Sequence, residues 1–108
     1  MKAYLIDPEK KEVTEVEYSG DYKDIYKLID CSTFEIVGIT PKGDGIYVDE
    51  EGLYAEKKHL WSFKGILFNN HLFNLINKGL VLGSNIDGDT IESDLSLEKV
   101  KEKVVWHW

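Results

Sequence analysis

The residue types able to do chemistry are few and widely spaced in this chain. Cys31 is the sole cysteine, and no histidine stands near it in sequence to activate a thiolate. The plainer reading of Cys31 is a buried or half-buried structural residue. His59, His71 and His107 lack the close spacing that puts two imidazoles on one helix face, so they do not spell a metal site. Asp49, Glu50 and Glu51 offer adjacent carboxylates, yet consecutive turn residues project in different directions. Solvation, or contact with a lysine or arginine of a partner, suits them better than acid and base work. Asn85, Asp87 and Asp89 have the oxygen chemistry of a calcium loop. Such a loop needs glycine at its sixth place and glutamate at its twelfth, and counting from Asn85 those places hold Thr90 and Ser96. Asp87-Gly88 is therefore read as a hairpin turn. Neither glycine-bearing stretch, 38–45 or 79–88, contains the GK[ST] of a phosphate loop. No catalytic residue, metal or cofactor is expected, and the chain is not read as an enzyme.

Aromatic and charged residues carry the remaining signal. Tryptophan is a frequent interface anchor, and a chain ending Trp106-His107-Trp108 would be costly to leave in water. Trp61 and Phe63 lie in a second aromatic stretch, residues 60–70. The alternative for all of them is packing in the core. Net charge is −7, from 20 acidic and 13 basic residues, every basic one a lysine. Without arginine's planar fork, and with this acidic balance, ordinary nucleic-acid binding is disfavoured. A basic partner, or simply solubility, accounts for the excess.

The 108 residues, 43% hydrophobic and 12% aromatic, suffice for one domain with a single core. One α+β domain over residues 1–108 is expected, a small mixed or mainly antiparallel sheet with two helices packed on it. The single cysteine and the lack of a signal-like start point to an intracellular, cytoplasmic setting. No apolar run approaches the roughly 18 to 20 residues of a bilayer span, so no membrane role is expected.

Several elements must position these residues. Residues 2–18 predict a β-hairpin broken at Asp7-Pro8, with a bulge near Thr14 and Glu15. Tyr22, Ile25, Tyr26 and Ile29 fall at i, i+3, i+4 and i+7 of an amphipathic helix that starts at Ser19-Gly20-Asp21. Residues 33–39 read as a strand, and 40–45 as a turn. Residues 45–54 predict a second hairpin, its strands Ile46-Tyr47-Val48 and Leu53-Tyr54-Ala55 joined by the acidic turn and Gly52. Residues 60–76 are ambiguous between short strands and a helical turn. Residues 79–83 form a buried strand that turns at Asp87-Gly88 into 89–92. Ser96 caps a last helix, with Leu95 and Val100 as a hydrophobic staple, and residues 104–108 end the chain as a strand.

Taken together, Ile6-Asp7-Pro8, Gly20-Asp21-Tyr22, the run from Ile46 through Asp49-Glu50-Glu51-Gly52 to Leu53, and Gly79-Leu80-Val81-Leu82-Gly83 with Asp87-Gly88 form one pattern. It resembles a family of small uncharacterised domains encoded by bacteriophages and plasmids and found in their bacterial hosts. The pattern covers nearly the whole chain, but consists of turn and strand motifs with no chemical signature. Residues 60–76 depart from it, being longer and more aromatic. A viral origin implies, by analogy, stoichiometric binding to a host protein, with inhibition of a bacterial defence system as one form. The partner-binding set is then Asp49, Glu50 and Glu51 for steering, with Trp61, Phe63, Trp106 and Trp108 as anchors. The alternative is a small-molecule binder, such as a nucleotide sponge, with a pocket of Trp61, Phe63 and Tyr54. A DNA mimic is a variant of the first reading, and exposed sheet edges make a homodimer an open outcome.

Overall fold

A computed structural model describes residues 1–39, 43–64, 68–69, 75–85 and 87–107. The expected residues 40–42, His71 and Trp108 lie outside them. The first hairpin is present as β1 (Lys2–Asp7) and β2 (Glu12–Glu17), paired in continuous register from Lys2↔Glu17 to Asp7↔Glu12. The expected bulge at Thr14 and Glu15 is absent. Val13 and Val16 are out of phase because they serve opposite faces of the sheet: Val13 joins the core cluster containing Tyr4 and Ile6, Val16 the one containing Ala3.

That double demand runs through the whole sheet. Helix α1 (Tyr22–Leu28) starts at Asp21, whose side chain accepts from the Lys23 amide at 3.0 Å. β3 (Phe34–Ile39) and β4 (Gly45–Asp49) pair antiparallel, with a register shift between Ile36 and Gly38. β8 (Gly79–Ser84) lies between β1 and β4, and β9 (Thr90–Ile91) pairs with it across the Asp87-Gly88 turn, where Gly88 takes a φ of +85°. The resulting order is β2-β1-β8-β4-β3-β6, with the short β6 (Phe68–Asn69) on β3. Along β8, Leu80 and Leu82 face the cluster with Ile25 of α1 and its C-cap Ile29, while Val81 faces the other. A central strand apolar on both sides is what a sheet covered on both faces requires.

The second face is covered by something the sequence left ambiguous. β5 (Leu60–Phe63) pairs antiparallel with both β7 (Leu75–Ile76) and β10 (Val104–Trp106), giving a separate sheet ordered β10-β5-β7. Helix α2 (Leu97–Lys103) leads into β10 and is capped by Ser96, whose Oγ accepts from the Lys99 amide at 3.2 Å. Trp61, Phe63, Leu75, Val100 and Val104 from these elements pack on Tyr4, Ile6, Ile46, Val48 and Val81 of the large sheet. Tyr4 is 2% exposed and donates its hydroxyl proton to the Leu95 carbonyl at 2.6 Å, so its polar end is satisfied inside the core. The architecture is α+β, and every strand pair among the described residues is antiparallel. No described helix is long and apolar enough to cross a membrane.

One expected element is corrected. Residues 53–55 are not the return strand of a hairpin; Gly52–Tyr54 is a single 3-10 turn. β4 instead takes β3 on one side and β8 on the other. Ile46 and Val48 are buried under the second sheet and α2, whereas Tyr54 stays 85% exposed and has no sheet face to offer.

Candidate functional site

The strand registers gather charge at one end of the large sheet. Gly79 of β8 sits opposite Ile6 of β1 and opposite Val48 of β4. One step beyond that row stand Asp7 and Asp49, ending β1 and β4, with Lys78 just before β8; neighbouring strands run about 4.8 Å apart. A cleft of about 180 Å³ opens here, lined also by Glu9, Asp30, Lys57, His59 and Asn77.

Backbone hydrogen bonds hold its walls. Asn77, with a φ of +61°, accepts the His59 amide on Oδ1 at 3.0 Å and donates its own amide to the His59 carbonyl at 2.9 Å. Its Nδ2 donates to the Lys57 carbonyl at 3.2 Å, and its carbonyl accepts Trp61 Nε1 at 2.7 Å. One residue thus ties the 57–61 segment to the turn before β8. Asp7 Oδ1 accepts the amides of Glu9 and Lys10 at 3.1 and 3.4 Å, shaping the β1–β2 turn.

Beside the cleft the acidic turn is equally fixed. Asp49 Oδ1 accepts the Glu51 amide at 2.9 Å, and the Glu50 amide donates to the Thr33 carbonyl at 3.1 Å. Thr33 Oγ1 donates to Glu51 Oε1 at 3.4 Å. The Tyr54 amide donates to the Glu51 carbonyl at 2.9 Å, so the exposed ring follows the carboxylates on a defined backbone. Glu50 and Glu51 are exposed, Asp49 half-buried.

Cys31 adjoins this region, its amide donating to the Tyr26 carbonyl at 3.0 Å. Burial, then the nearby charges of Asp49 and Asp30, push its thiol up to about 11. It stays protonated at neutral pH and is a poor nucleophile.

Of the expected anchors, the structure leaves little on the surface. Trp61 is fully buried and Phe63 is 6% exposed, both in the core cluster under the large sheet. They present no exposed anchor, whereas Tyr54 is 85% exposed. Trp106 is half-buried, packs on the same cluster, and lines a shallow groove with Lys11, Thr14 and Lys101. The most exposed described aromatic, not expected as an anchor, is Tyr54; its place two residues after Gly52 in an acidic turn was the available signal. The Asn85 to Asp89 segment is a turn, Asn85 Oδ1 accepting the amides of Asp87 and Asp89 at 3.0 and 2.9 Å. Among the described residues no group of three or more His, Cys, Asp or Glu side chains is placed to hold a metal ion.

This two-sheet α+β fold with a charged end belongs to a known sequence family. A family model described as "Domain of unknown function (DUF3846)" matches residues 1–104, and the chain is a member of that family. No curated protein and no solved structure matches it.

Proposed function

We propose that the protein is a small acidic accessory protein of phage type that acts in the host cytoplasm, without catalysis, by binding a host protein stoichiometrically. Blocking a defence component is the form of action that such binding fits. The observation that carries the reading is Tyr54, 85% exposed and three residues past Glu51 on an acidic turn whose backbone is fixed and in which Asp49 Oδ1 and Glu51 Oε1 each accept a hydrogen bond. An exposed tyrosine on a fixed backbone is a low-entropy anchor, and carboxylates beside it steer a basic surface toward it. A second copy of the chain is a poorer occupant than a basic partner. The edge strand β2 carries Glu12, Glu15 and Glu17, which would meet like charges on edge-to-edge pairing.

The test is capture from host lysate on the tagged protein at rising salt, followed by native mass spectrometry of what is retained. A host protein held at fixed stoichiometry, with association that weakens as salt rises, is expected. Retention of no protein, or retention unaltered by Glu50→Lys/Glu51→Lys, overturns the reading.

A further inference from the structure

The cleft at the end of the large sheet holds charges of both signs that do not neutralise one another. Of its four carboxylates, Asp7 and Asp49 are engaged by backbone amides. Among the described residues, the side chains of Glu9, Asp30, Lys57 and Lys78 make no hydrogen bond and no ion pair within 4 Å. Two ammonium groups and two carboxylates therefore line one cavity and remain available. Flexible surface lysines can stay solvated at little cost. Lys78 differs: it is half-buried and stands in a row between Asp7 and Asp49, next to the Asn77 turn that fixes its backbone.

We infer that this cleft is a binding site for a small zwitterion, an α-amino acid carrying both a free amine and a free carboxylate. A simple cation would meet Lys57 and Lys78, and a simple anion would meet Glu9 and Asp30. A ligand with both charges satisfies each wall through charge-assisted hydrogen bonds. The cavity of about 180 Å³ also sets the size. It slightly exceeds the roughly 150 Å³ engineered cavity that accommodates benzene, which suits an amino acid rather than a nucleotide. The inference is separable from the partner reading, since Glu50, Glu51 and Tyr54 do not line the cleft and only Asp49 is common to both.

The experiment is an amide-resolved NMR titration of the full chain with free α-amino acids, and with the same compounds Nα-acetylated or C-amidated. Free amino acids are expected to shift the amides of Glu9, Asp30, Lys57 and Lys78 saturably, and both blocked forms to fail. Equal binding of the acetylated form would make the cleft an anion site, and equal binding of the amidated form a cation site; either overturns the inference. Absence of any saturable shift at millimolar ligand overturns it too. Lys78→Gln and Glu9→Gln, each checked for an unchanged remainder of the spectrum, are each expected to weaken binding about tenfold. Unchanged affinity in both variants contradicts the assignment. Glu50→Lys/Glu51→Lys should leave amino-acid binding intact even where it abolishes partner capture.

Discussion

Trp61 and Tyr54 stand seven positions apart in the chain and have opposite fates. Trp61 is fully buried, its Nε1 proton donated to the Asn77 carbonyl, its ring against β8. Tyr54 is 85% exposed on a 3-10 turn behind three carboxylates. The short connection between them separates a core residue from one on the surface. Bulk and aromaticity do not decide which residue does which. Trp61 lies on a strand with partners on both sides, β7 and β10, and those pairings aim it inward. Tyr54 lies where the backbone closes on itself and no strand can claim it.

The comparison predicts a wide split in stability effects. Trp61→Ala empties a large buried volume and leaves the Asn77 carbonyl without its donor, so a loss of about 3–5 kcal/mol is expected from urea unfolding. Tyr54→Ala should fall within about 0.5 kcal/mol of the parent protein. A large loss on Tyr54→Ala would erase the distinction.

Next in size is Gly79→Ala. A Cβ at Gly79 would lie 2.6 Å from Trp61 Cζ2, and overpacking of this kind costs about 1–3 kcal/mol. Combining it with Trp61→Phe, which withdraws that part of the ring, should cost less than the sum of the two single changes. Strict additivity would mean that Trp61 and Gly79 do not share the contact.

A smaller effect is expected from pH. The Cys31 thiol ionises near 11 in the folded protein, against 9.0 ordinarily, and burial also raises the Tyr18 hydroxyl above 10.0, with Tyr47, Asp21 and Asp24 adding to it. Both groups are raised in the folded state, so the contribution of their neutral forms is full below about pH 9. Between the unfolded and folded values the unfolded chain loses its protons first, and stability falls as pH rises. Unfolding at a series of pH values should show a plateau to about pH 9 and a decline toward 11, shallower in Cys31→Ala. A rise over that interval would contradict the assigned cause.

Much of the fold was legible where signals were local. The 2–18 hairpin, the Asp21-capped helix, the buried 79–83 strand with its Asp87-Gly88 turn, and the Ser96-capped helix all rest on residues within a few positions of each other. The second sheet was not legible, because β5 is matched to β10 some forty residues on, and nothing within residues 60–63 announces that partner. The false hairpin at 45–54 has the same origin: β4 is strand-like whatever it pairs with, and distant β3 and β8 pair along its two edges. Of the candidate site, Asp49, Glu50 and Glu51 were visible as an acidic turn, with Glu50 and Glu51 exposed and Asp49 half-buried. The cleft was not, because Asp7, Asp49 and Lys78 meet only through the registers of β1, β4 and β8, and Lys57 joins them through its bond to Asn77.

The separation of frame from surface is tested most directly by the triple variant Glu50→Lys/Glu51→Lys/Tyr54→Ala, measured for urea unfolding and for capture of the host protein in parallel. Unfolding within about 1 kcal/mol of the parent together with lost capture is the predicted result. Capture at parental strength by the folded variant would show that the acidic end is not the surface that binds.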